Sequence, residues 1–311
     1  MISVYCSDGG TLNRMDTIVP GAWINLCAPS EQELASIGTQ LGVDANLLRA
    51  ALDEEERSRI DSENGHLLIL VDTPTVEIQQ GGSFVYTTLP FGIIITESNL
   101  ITVCLKECAL ARVFSGSPVK NFSTKKKNLM TLQLLYRNAS LFLYYLREVD
   151  KASSRVENEL HLSMKNKELI QMLGLEKGLV YFSTSLKGNE IVLEKLLRMQ
   201  FVKDYPDDTE MLEDVIIENK QAIEMCNIYR DILSGTMDAF ASVISNNLNI
   251  VMKLLASLTI ILTIPTIIFG LWGINVPLPF ETSPFGFIIV IGIAVVLTGA
   301  AVLLMMRKKW L

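Results

Sequence analysis

The spacing of apolar positions changes character along the chain. Up to about residue 115 they fall in short runs bounded by turn residues. Trp23–Cys27 alternates like a strand, and runs 66–71, 75–79, 84–89, 93–96 and 100–105 are rich enough in aliphatic and β-branched residues to read the same way. Gly81-Gly82 reads as a hairpin turn. Ser30 with Glu33 three residues on is a capping box, which predicts a helix through Leu41 ended by Gly42. Asp44 is placed to cap a second helix through about Glu56. This segment predicts a mixed α/β domain over residues 1–120.

Beyond residue 128 the period becomes helical. Segments 129–164 and 167–197 carry apolar stripes at helical spacing, with a weak point near Gly174 and Gly178 and a turn or irregularity expected at Lys187-Gly188-Asn189. Pro206 followed by Asp207 and Asp208 opens the next helix. From 208 to 264 there is no proline and one glycine, Gly235. A single helix of ~57 residues there would run on the order of 85 Å at 1.5 Å per residue. A helix well beyond about 25 residues belongs to a coiled coil, a membrane span or both. The predicted helical region with its stalk covers 121–250.

The last sixty residues narrow the picture most. Runs 254–272 and 285–306 are uncharged and apolar. A helix of about 20 such residues spans roughly 30 Å of hydrocarbon. The spans predicted are therefore 251–273 and 285–306, with a connecting loop at 274–284 too short to fold alone and a basic tail at 307–311. Lys253 precedes the first run, and Arg307, Lys308 and Lys309 follow the second. The loop holds no Lys or Arg and one acid, Glu281. The positive-inside rule then predicts both chain ends in the cytoplasm and the loop outside, in a multi-pass protein of the cell membrane. Trp272 and Trp310 suit interfacial anchoring at opposite faces. The N-terminal residues lack a basic region followed by an apolar core, so no signal peptide is expected.

One stripe runs through the long helix. Alternating steps of three and four residues visit Asp231, Gly235, Asp238, Ser242, Ser245, Asn249, Met252, Ala256, Thr259, Thr263, Thr266, Gly270 and Gly273. Nearly all are small or polar, where a coiled-coil seam would be apolar. Hydroxyls and amides are unfavourable against lipid without a partner or water. Several copies around an axis would give them a water-filled path; close helix packing through small residues is the competing reading. Met252 and Leu255 add apolar bulk, which suits a constriction that closes by dewetting. Asn249 and Asp238 lie on the cytoplasmic side of that ring. Pro265 interrupts the span and frees a backbone carbonyl.

Composition removes other classes. The 311 residues carry a formal charge of −7, and no basic patch suits nucleic acid. Lys125-Lys126-Lys127 reads as a solvated loop or a contact with anionic headgroups. Asp53-Glu54-Glu55-Glu56 reads as a solvated helix end or a cation site. The five cysteines form no disulfide framework, and Cys104-x-x-x-Cys108 lacks zinc spacing, with only His66 and His161 to join it. Buried or idle thiols are expected. No nucleophile–base set, P-loop or metal-ligand cluster is present, so an enzyme is not expected.

After the first span stands Phe269-Gly270-Leu271-Trp272-Gly273-Ile274-Asn275, and the chain ends Arg307-Lys308-Lys309-Trp310-Leu311. With Asn249-Ile250-Val251-Met252-Lys253 and Leu175-Glu176-Lys177-Gly178-Leu179-Val180-Tyr181-Phe182, these segments resemble the CorA family of divalent-cation channels over the whole chain. That family carries Gly-Met-Asn where this chain has Gly273-Ile274-Asn275. The resemblance implies a homopentameric funnel, with an α+β cytoplasmic domain, a long stalk helix and two C-terminal transmembrane helices. It implies passive uptake of Mg²⁺, often also Co²⁺ or Ni²⁺, driven by the membrane potential and closed by intracellular Mg²⁺. Gly273, Ile274 and Asn275 would form the selectivity ring. Asp238, Ser245, Asn249, Met252, Leu255, Ala256, Thr259, Thr263, Thr266 and Gly270 would line the pore. Asp214 falls where the family places a regulatory metal ligand, in an acidic stretch with Asp204, Asp207, Asp208, Glu210, Glu213 and Glu218; Glu218 is a second candidate and Asp72 a candidate partner from the α/β domain. Ile274 replaces the family's usual Met and Trp272 a common Tyr. Transport of zinc or another transition metal, or a membrane-anchored sensor module, stand as the alternatives.

Overall fold

The structure, a computed structural model, describes residues 1–8, 11–78, 84–116, 123–163, 166–199, 206–274, 279, 284–308 and 310. Gly81-Gly82, Asp204, Asn275, Glu281, Lys309 and Leu311 lie outside these. The chain divides into two compact units, Met1–Thr236 and Met237–Leu311.

The first unit is built on a seven-stranded sheet: β1 (Ile2–Asp8), β2 (Thr11–Met15), β3 (Trp23–Cys27), β4 (Arg59–Glu63), β5 (His66–Ile78), β6 (Phe84–Ile95) and β7 (Leu100–Cys104), in the order β2-β1-β3-β7-β6-β5-β4. Among the described strands only β3 and β7 run parallel. Successive strand residues face opposite ways. Leu68 and Leu70 therefore join a core against α1 (Glu31–Leu41) and α2 (Ala45–Arg49), while Ile69 and Val71 join a core against α3 (Ala109–Gly116), α4 (Lys127–Ser163), α5 (Asn166–Arg198) and the start of α6 (Pro206–Trp272). Burying each such side chain contributes about 1.5–3 kcal/mol. The continuous apolar runs of the central strands reflect this cover on both faces.

The α1 expectation holds in detail. Ser30 accepts from the Glu33 amide, Glu33 accepts from the Ser30 amide, and Gly42 ends the helix at φ 69°. Other expectations need correction. The segment after Asp44 stops short: α2 passes into one 3-10 turn, Ala50–Leu52, and Asp53 is extended. The acidic residues that follow enter ion pairs, Glu54 with Lys106 and Glu56 with Arg59.

The four runs between 66 and 96 are two long strands, not four. Pro74 pairs with Thr88 and Pro90 with Asp72 inside one hairpin. β4 reaches β5 only as far as Leu70, and β7 reaches β6 only as far as Phe91. Beyond those points each strand is bonded on one side, where a missing proline N–H is tolerated. Strands β1, β2 and β4 escape an apolar pattern because they lie at or near the sheet edges and carry many polar residues.

Helix α5 runs unbroken through Gly174, Gly178 and Lys187-Gly188-Asn189, so no turn occurs there. At Gly178 an added Cβ would lie 2.8 Å from the Tyr86 Cβ. That glycine serves close approach of helix to strand. Asn189 is buried and takes over where β4 ends. Its Oδ1 accepts from the Asp72 amide at 2.9 Å and from Ser58 Oγ at 3.0 Å, and its Nδ2 donates to the Asp72 carbonyl at 2.9 Å. Asn138 of α4 donates to the same carbonyl at 2.7 Å.

In the second unit the later part of α6 packs against α7 (Gly286–Arg307). Ile268, Val290 and Ala294 form its small core, with Ile264, Trp272 and Ile293 against it. Both helices are long and apolar enough to cross a membrane. α6 continues through Pro265 to Trp272.

Candidate ion pathway

Which face of α6 meets α7 decides what remains for the stripe. The half-buried or buried positions of its C-terminal part are Ser257, Ile261, Ile264, Pro265, Ile268 and Trp272. At about 100° per residue they gather on one side. Met252, Thr259, Thr263, Thr266 and Gly270 fall roughly opposite on the same helical count. All of these are exposed in the single chain, as are Asp238, Ser242, Ser245, Asn249, Leu255, Ala256, Gly273 and Ile274. Met252 and Leu255 expose 55% and 56% of their surface. The stripe is thus not used for packing within the hairpin.

The hydroxyls on this face have a common arrangement. Thr259 donates to the Leu255 carbonyl at 2.9 Å, Thr263 to Thr259 at 2.7 Å and Thr266 to Leu262 at 2.8 Å. Ser242 donates to Asp238 at 3.0 Å. With the proton turned back onto the helix, each oxygen presents lone pairs outward. The result is a row of neutral acceptors, able to receive hydrogen bonds from water or from the hydration shell of a cation. The proton needs no second partner, so the face carries polarity at low desolvation cost.

At the end of the stripe the Gly273 amide donates to the Gly270 carbonyl at 3.3 Å. A Cβ on Gly273 would lie 3.2 Å from the Phe269 carbonyl, so a larger residue would crowd this last turn. Asn275 and Glu281 lie beyond the described residues.

Sequence reasoning missed Ser257. It is buried on the α7-facing side, and its hydroxyl reaches the Trp310 carbonyl at 3.5 Å. The signal available was the recurrence 257, 261, 264, 268, 272, a second seam at helical spacing. The residues of the polar stripe drew attention away from it.

The candidate regulatory carboxylates do not gather within one chain. Asp214 is exposed and Glu218 half-buried on α6, while the neighbouring Leu212 and Val215 point into the core. Among the described residues no three His, Cys, Asp or Glu side chains form a metal-holding group. Asp72 lies in β5 against α5. Burial pushes its carboxyl pKa up, and a hydrogen bond from Ser185 opposes that. A raised carboxyl pKa means that the charged form costs stability above that pKa, and that the cost disappears as pH falls through it. Asp72→Asn is therefore expected to raise the thermal midpoint of the full chain at pH 7, with the gain shrinking toward pH 4. Equal midpoints for the two proteins at pH 7 would refute this.

Comparisons with known proteins give the family and the fold. Residues 21–308 match the family described as CorA-like Mg²⁺ transporter protein. The cobalt/magnesium transport protein CorA of Methanocaldococcus jannaschii is 30% identical over 303 residues, which cover 93% of this chain and 91% of that protein. The complete structure of the CorA magnesium transporter from the same organism superposes with a TM-score of 0.84 at 24% identity, covering 100% of this chain and 99% of that one. The full-length CmaX protein shares the fold at a TM-score of 0.71 and 14% identity, covering 96% of each chain.

Proposed function

Since the chain belongs to the CorA-like Mg²⁺ transporter family, we propose that it is a channel for divalent cations, chiefly Mg²⁺ and also Co²⁺ or Ni²⁺. Copies assemble as a homopentamer in the cell membrane, with both termini in the cytoplasm and the α6 stripe turned to a shared aqueous axis. The observation that carries this reading is the exposed row of back-bonded threonines opposite the α7-facing side of α6.

The row suits a hydrated divalent ion. Magnesium dehydrates reluctantly and keeps several waters. Neutral oxygens can accept from those waters without holding the ion as tightly as a ring of carboxylates would. Asn275 supplies the outer ring of amide oxygens, with Gly273 and Ile274 beside it. Asn249, Met252 and Leu255 form the inner constriction, and Asp238 concentrates cations at its cytoplasmic side. A membrane potential of 100 mV supplies about 2.3 kcal/mol per elementary charge, so about twice that for a divalent ion. That is a sufficient driving force for inward flux without a chemical step.

Closure is electrostatic. Acidic faces that include Asp214 and Glu218 repel between subunits, and internal Mg²⁺ bound between them favours the closed ring. Asp214→Lys is expected to leave current flowing at millimolar internal Mg²⁺, where the unaltered protein shuts. A normal Mg²⁺ dependence of closure in patch recordings would remove Asp214 from the sensor.

The test of the whole reading is ion flux into proteoliposomes across Mg²⁺, Co²⁺, Ni²⁺ and Zn²⁺, with cobalt hexammine as a mimic of the hydrated ion. Mg²⁺ uptake blocked by the mimic is the expected result. Absence of flux above empty vesicles at every internal Mg²⁺ level would overturn it. Thr263→Leu should lower uptake by roughly tenfold or more by replacing an acceptor with bulk on the pathway, an effect of about 1.4 kcal/mol or more on the barrier. Ile267→Leu, off the stripe, should leave uptake near its original level. Equal uptake by the two variants would mean that the stripe does not line the path.

A further inference from the structure

Two glycines sit one turn apart in α5, and packing accounts for one of them. Gly178 lets the helix close on Tyr86 of β6, whereas a Cβ added at Gly174 would meet no atom within 4 Å. Glycine inside a helix is unfavourable relative to alanine. Gly174 is exposed and borders a cleft of about 730 Å³ in the first unit. The cleft exists because β7 pairs with β6 only as far as Phe91. The Phe84 end of β6 runs on past that point, and α4 and α5 line the space beside it. Small-molecule ligands occupy clefts of about 300–1,000 Å³.

The side chains around Gly174 combine rings and cations. Phe84 and Tyr181 line the cleft with 53% and 39% of their surface exposed. Lys177, three residues along α5 from Gly174, holds its ammonium 5.7 Å from the centre of the Tyr181 ring. Arg155 of α4 is exposed, lines the same cleft, and is close enough for its charge to act on the Tyr86 phenol. Neither cation is ion-paired with a carboxylate among the described residues. Lys106, by contrast, is held by Glu54 at 3.4 Å and Glu77 at 2.8 Å. Glu55 and Glu159 also border the cleft. Their charge offsets part of that of Arg155 and Lys177, so a small anion alone is held weakly. A ligand that also lays a flat ring against Tyr181 or Phe84 gains a second anchor. The missing side chain at Gly174 leaves room for such a ring against the helix.

We propose that this cleft binds a nucleoside polyphosphate, with its phosphates on Arg155 and Lys177 and its base against the exposed rings beside Gly174. The planar guanidinium of Arg155 can give a phosphate two parallel hydrogen bonds, and the Lys177 ammonium adds a point charge. A peptide strand along the free edge of β6 fits less well, because α5 already lies against the Tyr86 carbonyl within that edge.

The test is a calorimetric titration of ATP into the full-length protein in detergent, with EDTA present so that binding of Mg²⁺ adds nothing to the signal. Saturable binding of ATP is expected. Adenosine and tripolyphosphate, each with half of the ligand's chemistry, should bind roughly tenfold or more weakly. Arg155→Glu should weaken ATP by roughly tenfold or more, and Gly174→Leu should do the same by filling the space over the helix. Both positions are exposed, so neither change should lower the thermal midpoint. Gly174→Leu should raise it, since leucine is the better helix former. A more stable protein that has lost its ligand separates a binding role from a structural one. No saturable binding at millimolar ATP would overturn the proposal. So would adenosine or tripolyphosphate binding as tightly as ATP, or an ATP affinity unchanged in both variants. The three ligands compared on the unaltered protein decide the matter even if either variant fails to fold.

Discussion

Asn275→Ala is expected to bring Mg²⁺ flux into proteoliposomes down to that of empty vesicles, while the size of the assembly on native gels stays the same. The reason lies in the hydration shell. A magnesium ion arriving at the mouth keeps its waters, which are polarised and act as strong donors. On the proposed reading, an amide oxygen from each subunit accepts from them and replaces the outer water that the ion leaves behind. Hydrogen bonds that involve a charged group contribute about 1.5–3 kcal/mol each. Every 1.4 kcal/mol is about a factor of ten, so a ring lacking even two of these bonds should conduct at least roughly a hundredfold less. Alanine supplies no acceptor. Asn275→Asp separates charge from geometry: it keeps an oxygen in place and should retain binding of the ion but slow its release. Unchanged uptake in Asn275→Ala would remove the selectivity-ring role and leave the α6 stripe to account for ion choice.

Asn189→Leu is expected to destabilise the first unit markedly. β4 stops pairing with β5 at Leu70, which leaves the next outward-facing backbone pair, that of Asp72, without a strand partner. Asn189 reaches from α5 and pairs with both groups, as a neighbouring strand would. Leucine has a similar volume but no polar atoms. The half-buried Asp72 amide and Ser58 hydroxyl would then lose these bonds, at about 1–3 kcal/mol each; the Asp72 carbonyl keeps Asn138. The total of about 2–6 kcal/mol corresponds to a fall in thermal midpoint of roughly 4–24 °C for a unit of this size. Differential scanning fluorimetry of the full chain would measure it. A fall under about 2 °C would mean that water replaces the asparagine at this edge.

These two residues also differ in how legible they are from the sequence. Asn275 stands out from the sequence because it follows an uncharged apolar run and ends a motif. Asn189 sits in Lys187-Gly188-Asn189, whose local chemistry suggests a turn. Nothing local says that the helix continues and that the asparagine faces a strand more than a hundred residues earlier. Pro74 and Pro90 misled in the same way. Proline does break a strand paired on both sides, and only the lengths of β4 and β7 reveal that these prolines have one open side.

The regulatory candidates divide along the same line. Asp214 and Glu218 have the helical spacing of one face and stay accessible on α6. Asp72 was a candidate by position, yet its carboxyl is drawn against α5 and its backbone is bonded by Asn189 and Asn138.

The sequence by itself determined the elements whose cause is local: the capping box of α1, the helix begun at Pro206, two runs long and apolar enough to cross a bilayer, and a polar stripe along the first. Periodicity records which residues share a face, because that follows from 3.6 residues per turn. It does not record what covers the face. The tertiary structure alone decided that α7 takes the Ile264 and Ile268 side of α6 and leaves the threonines open, that α5 completes the edge of β5, and that the Phe84 end of β6 shares a cleft with Gly174 of α5. Each of these joins parts of the chain far apart in sequence, and only folding brings them within contact range.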